Sequence, residues 1–192
     1  MPRTREQFSE MKDERRNSIL AASLPLFSLN KKVSIDAICE RAKCSHGIVY
    51  HYFRNTDQIL ERLLKSPTYV ELTNKLFNLE EGSSYEKIEQ ILSVLLDVSA
   101  TKFESVCYLN MIIKNNEKGS LRLLLTKLIK DGQTAGTIVG GEPSQLVDSV
   151  FLLLKGLYLT FLLEKHPDVK VPSVETVMQL IRKPTNFSRQ IP

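Results

Sequence analysis

Residues 33–64 read VSIDAICERAKCSHGIVYHYFRNTDQILERLL, and the way this stretch divides decides the fold. Ser34 has the side chain of an N-cap, and behind it Ile35, Ile38, Cys39 and Ala42 recur at i, i+3, i+4 and i+7, one face of a helix. Lys43 and Cys44 interrupt, and Ser45 opens a second segment running from His46 to Phe53. So short a helix is unstable alone in water and depends on packing, for which Val49 and Phe53 supply the apolar contact. Asn55 caps a third helix, with Gln58 three residues on in capping-box spacing and Ile59, Leu60, Leu63 and Leu64 behind it. Two short helices across a tight turn form a helix-turn-helix, whose second member can lie in a DNA major groove. On spacing alone, an ordinary helical hairpin inside an all-α core fits too.

The second helix leaves Ser45, His46, Gly47, Tyr50 and His51 on its outer side and N-terminal end. That surface is small, polar and aromatic, with no acid among the five, which suits DNA. Glycine inside a helix costs about 1 kcal/mol relative to alanine. Gly47 therefore reads in two ways: a side chain there would hold the backbone away from a partner, or a frayed first turn tolerates the residue.

The order SIDAICERAKCSHGIVYHYFRNTDQIL resembles the DNA-binding domain of the TetR family of bacterial transcriptional repressors. In that pattern a Ser/Thr-capped helix precedes a short recognition helix ending in Tyr-x-x-Phe. Ser34, Ile38, Ala42, Ser45, Tyr50, Tyr52, Phe53, Asn55 and Leu60 stand where it wants such residues, over roughly residues 10 to 65. Beyond them the likeness is one of helix layout. The resemblance implies that Ser34, Ser45, His46, Gly47, Tyr50, His51, Arg54 and Thr56 meet a double-stranded DNA operator. Tyr50 and Thr56 fall to phosphates, and His46, Gly47 and His51 lie nearest to base edges. Two positions depart from the pattern. Lys43 replaces the usual turn glycine, so a residue with a Cβ is expected near left-handed geometry. Thr56 replaces the usual phosphate-binding lysine, and Arg54 is the available substitute countercharge.

Composition bounds the rest. A chain of 192 residues, 42% hydrophobic and 25% charged, is long enough for a real core and reads as a soluble globular protein. Its first residues, MPRTR, lack the apolar run of a secretory signal, so a cytoplasmic location is expected. Cys39, Cys44 and Cys107 have no metal-ligand spacing and suit a reducing compartment. Residues 1–66 hold twelve Lys/Arg against eight Asp/Glu, a net of +4, whereas residues 67–192 hold fourteen of each. The entire excess lies beside the helix-turn-helix, where Arg3, Arg5, Lys12, Arg15 and Arg16 are candidates for phosphate contacts that set affinity rather than sequence choice.

Elsewhere the pattern is helical throughout. A helix from Ser9 to Leu29 contains Pro25, which predicts a kink or early end. The helix after Asn55 is expected to break near Ser66 and Pro67 and resume to Phe77, with Glu80 to Ser84 as a loop. Apolar helices follow at 88–98, 102–114 and 121–129, the last extending toward Thr137, where Gly132, Gly136, Gly140 and Gly141 close it. Residues 144–165, SQLVDSVFLLLKGLYLTFLLEK, are apolar almost all round, yet Asp148 and Lys155 argue against a membrane span. Such a helix needs cover on every side, from the monomer's own core or from a second subunit. With a shorter helix from Ser173 to Arg182 it resembles the TetR family's four-helix dimer interface, and a homodimer is expected. The tail from Pro184 to Pro192 is polar.

The expected architecture is all-α: a three-helix DNA-binding head over residues 1–65 and a helical ligand-binding and dimerisation body over 66–192. By resemblance, a cavity in the body binds a small-molecule inducer that releases the operator. Its candidate lining is Tyr69, Phe77, Phe103, Tyr108, Met111, Phe151 and Tyr158. No phosphate loop, nucleophile elbow or metal-spaced histidine pair occurs, so neither an enzyme nor a cofactor is expected. His46 and His51 lie on the recognition helix and His166 near a helix end. Two other classes stay open: a helical interaction module docking an acidic partner, and an all-α enzyme whose site leaves no linear motif.

Overall fold

The computed structural model describes residues 5–98, 102–164 and 170–182, with residues 5, 6, 8 and 9 described by backbone alone. Arg3, His166 and the tail from Pro184 lie outside the described residues. Within them the chain forms α1 (Arg5–Leu29), α2 (Ile35–Ala42), α3 (His46–Tyr52), α4 (Thr56–Leu64), α5 (Pro67–Phe77), α6 (Ser84–Leu95), α7 (Phe103–Asn115), α8 (Ser120–Thr134), α9 (Pro143–Leu163) and α10 (Val174–Gln179). Their starts are set by local chemistry. The Ser34 hydroxyl accepts from the Ala37 N–H at 3.1 Å and the Asn55 side-chain Oδ1 from the Gln58 N–H at 2.9 Å. Ser66 accepts from the Tyr69 N–H, and Pro67 takes the first helical position, where a missing N–H costs nothing. The expected break between α4 and α5 is therefore built by a cap and a proline. Ser83 and Glu86 form a reciprocal capping box at α6.

Pro25 does not end its helix. α1 continues four residues beyond it, because Leu24, Phe27 and Ser28 are buried and the last-turn carbonyls find donors on α7. The Asn110 amide donates to the Ser28 carbonyl at 3.1 Å, and the Lys114 ammonium donates to the carbonyls of Phe27, Ser28 and Asn30, the last two at 3.0 Å. A cation at a helix C-terminus also meets the negative end of its dipole. This side-chain latch offsets the one hydrogen bond that proline removes. At the other end of the body, α8 stops at Thr134 rather than Thr137, with Gly132 inside it. A Cβ there would come within 2.5 Å of the Ile138 side chain.

Two apolar clusters organise the molecule. Ile19, Phe27, Ile38, Val49, Phe53, Ile59 and Leu63 join α1 to α4, and Cys107, Tyr108 and Met111 of α7 complete this cluster. The second lies among α5 to α10, centred on Leu76, Ile91, Leu92, Leu109, Leu154 and Tyr158. α9 is long and apolar enough to cross a membrane by length and composition, and here its inner side joins this body core. The two charges the sequence places in it are both paired: Asp148 with the Arg122 guanidinium on α8, and Lys155 with Glu117 at 2.7 Å. Its outer side is another matter. Leu152 and Leu163 are 68% and 69% exposed, and Leu159 is exposed between them, with Gly156 in the same row.

Candidate nucleic-acid interface

The turn between α2 and α3 is a Schellman motif. The Cys44 N–H reaches back to the Cys39 carbonyl at 3.0 Å and the Lys43 N–H to that of Glu40 at 3.3 Å. This geometry needs a left-handed residue at position 43. Lys43 takes it, at φ 48° and ψ 53°, the one non-glycine residue with positive φ among the described residues. Where the related pattern has glycine, this chain retains the turn and carries the strain, as the sequence predicts. Behind the turn, the buried Cys39 thiol meets that of Cys44.

α3 then projects with one side in the core. Val49 is fully buried and Phe53, which ends the helix, nearly so, whereas Ser45, His46, Gly47, Tyr50 and His51 are exposed, Tyr50 by 54%. Ser45 occupies the cap position without making a side-chain cap bond, unlike the other serine caps, so its hydroxyl is not used by the helix. Gly47 settles between its two readings on space. A Cβ built there meets nothing nearer than the Ser45 hydroxyl at 3.9 Å, and its φ is not positive, so nothing inside the chain requires glycine.

His46 is less free than the sequence suggests. Its Nε2 lies 2.6 Å from the Asp36 carboxylate on α2, which turns the ring sideways along the head. Asp36 is a residue that sequence reasoning missed, because the pair spans ten positions and forms only when the turn folds. His51 stands edge-on to Tyr52, ring centroids 5.0 Å apart, and borders a groove against α1 lined by Lys12, Glu14 and Arg15. Arg16 is paired with Asp13 at 3.0 Å. Lys12, Arg15 and Arg54 have no ion pair among the described residues. The Arg54 N–H donates to the Gln58 side chain at 2.7 Å, so the expected capping box closes one residue early. Thr56 is half-buried in the first turn of α4, and Ser34 holds its cap.

The seven candidate ligand residues do not converge on one cavity. Phe103 and Tyr108 line a space of about 570 Å³ between α1, the α4–α5 break and α7. Tyr69 packs edge-on against Tyr108, centroids 5.9 Å apart. Met111 borders a separate, smaller hollow beside Phe27 and Lys114. Phe151 and Tyr158 are body core, the Tyr158 hydroxyl donating to the Leu95 carbonyl at 2.6 Å, and Phe77 is exposed at the end of α5. Aromatic residues at helical spacing divide between core and lining, and periodicity cannot separate the two uses.

Residues 19–63 match the family described as bacterial regulatory proteins, tetR family. No curated protein matches the chain by sequence. Among solved structures, a bacterial regulatory protein in the tetR family from Rhodococcus RHA1 aligns over 87% of this chain and 96% of its own, at 13% identity and TM-score 0.55. The ketosteroid transcriptional regulator KstR2 of Mycobacterium tuberculosis aligns over 88% and 96%, at 11% identity and TM-score 0.57. The fatty acid degradation regulator FadR from Bacillus halodurans aligns over 94% and 96%, at 15% identity and TM-score 0.54. At such identities the likeness speaks for the fold.

Proposed function

We propose that this chain, whose residues 19–63 match the tetR family of bacterial regulatory proteins, is a DNA-binding transcriptional regulator that acts as a twofold dimeric repressor. A small molecule releases it from its operator, in the cytoplasm. The head over residues 1–65 reads DNA, and the body over 66–192 pairs the subunits and senses the ligand. The observation that carries the reading is the outer surface of α3. Four exposed non-acidic residues, Ser45, His46, Tyr50 and His51, surround Gly47, for which the packing of the described residues gives no reason. His51 and the Gly47 backbone face the base edges, and His46 swings from Asp36 to join them when DNA arrives. Tyr50 and Thr56, with Ser45 and the basic Lys12, Arg15 and Arg54, hold phosphates, with Ser34 at the margin.

A recognition helix serves a palindromic site only in pairs, about 34–36 Å apart. The exposed outer row of α9, with Leu152, Gly156, Leu159 and Leu163, is an apolar surface that supports a twofold pairing of α9 with its mate. Ligand binding then shifts operator affinity only by its preference for one head spacing over another.

Retardation of double-stranded DNA at two salt concentrations, with footprinting, tests this. A twofold footprint that weakens with salt is expected, together with loss of the site, at least tenfold, in the Tyr50→Ala/His51→Ala variant. A folded double variant with wild-type affinity would overturn the reading.

A further inference from the structure

We propose that the cavity between α1, the α4–α5 break and α7 is a binding site for an apolar molecule carrying one carboxylate, and that its occupancy controls the head. The control half rests on the regulator reading above. At about 570 Å³ the space falls within the 300–1,000 Å³ usual for small-molecule sites. Its walls are apolar: Leu20 and Leu24 from α1, Pro67 from α5, Phe103 and Tyr108 from α7. Phe103 keeps 41% of its surface open beside this void, a large ring left partly uncovered among the described residues.

The polar lining is Asn17, Arg62, Lys65, Ser66 and Glu104, two cations against one acid. Arg62, in the last turn of α4, borders the cavity and has no ion pair among the described residues. Its neighbour Lys65 is paired with Glu61 at 2.5 Å, so Glu61 does not neutralise Arg62. The opposing acid, Glu104, accepts from the Thr68 hydroxyl at 3.4 Å. The N-terminus of α5 adds the positive end of a helix dipole.

Position gives the site its leverage. Its walls come from α1 of the head, from the α4–α5 break and from α7, and the last turn of α1, directly beyond Pro25, is pinned to α7 by Lys114 and Asn110. A molecule filling the cavity bears on α1 between Asn17 and Pro25, ahead of the pinned turn, so it rotates the head about the Lys114 latch.

The test uses the full chain and two matched probe pairs, 2-naphthoate with 2-naphthamide and octanoate with octanol, in direct titration without DNA. Each acid is expected to bind at least tenfold more tightly than its neutral partner. Arg62→Gln should erase that preference, and Ala21→Phe, which fills the cavity from an exposed position, should weaken both acids at least tenfold. Because the ring occupies the same space, ligand-free Ala21→Phe should itself retard DNA more weakly than the wild type. Equal binding of acid and neutral partner, no binding by any probe, or indifference to Ala21→Phe in a protein with wild-type circular dichroism overturns the site. Acids that bind as expected without changing the affinity for DNA enriched on the wild-type protein overturn the control. Failure of the wild type to retard any DNA instead counts against the regulator reading and leaves the binding result standing.

Discussion

Lys43 holds the helix-turn-helix in register at a cost it need not bear. A non-glycine residue in left-handed geometry is strained by about 1–2 kcal/mol, and its side chain is exposed. Lys43→Gly should therefore stabilise the protein by about 1 kcal/mol, read as a higher urea midpoint at unchanged slope. A lower midpoint would mean that the lysine side chain makes a contact outweighing the strain. Gly47 is the converse. With open space around it, Gly47→Ala should raise the midpoint by some fraction of the about 1 kcal/mol of helix propensity while weakening operator binding. Stability and affinity moving together would remove the close-approach account. Among the thiols, burial pushes Cys107 up to about 12, so it stays protonated through the neutral range. Native alkylation followed by mass spectrometry should therefore modify Cys44, which is half-exposed, and spare Cys107 until denaturant is added.

At the scale of elements, α1 and α7 are one mechanical unit. The Lys114 ammonium serves three carbonyls at the end of α1, and Asn110 serves the buried Ser28. Lys114→Met keeps the aliphatic stem and removes the donors, which should cost about 1–3 kcal/mol for half-buried acceptors left unpaired. Amide hydrogen exchange should quicken first in the last turn of α1, beyond Pro25, where the helix already lacks one hydrogen bond. If protection there stays at the wild-type level, the latch is decorative and the rotation about it fails. This latch was not legible in the sequence: Lys114 and Phe27 are 87 positions apart, and a lysine at the end of a helical pattern reads as solvated. The α4–α5 break was legible, because a serine cap followed by proline is a local instruction.

For the whole molecule, the uncovered row on α9 and the basic head act together. Leu152→Glu on that row should yield monomers by sedimentation equilibrium and reduce operator affinity sharply, since half-sites bound singly lose the paired contact. Dimers persisting in that variant would place the twofold contact elsewhere. The seven aromatic and methionine candidates show how far a sequence carries at this scale. Phe103 and Tyr108 line the junction cavity, while Phe151 and Tyr158 fill the body core. All sit on apolar helix faces, and burial against a neighbour or a void depends on where the neighbour lies.

Local interactions decide what a chain can announce about itself. Caps, the left-handed turn residue, the serine–proline break and the apolar periodicity act within four or five positions, so the sequence alone determined the helices, the helix-turn-helix and the outer surface of α3. Contacts between distant positions arise only when the helices pack. Tertiary structure therefore decided that His46 leans on Asp36, that Lys114 closes α1, that Phe103 and Tyr108 meet an open space between head and body, and that α9 is left bare on one side among the described residues.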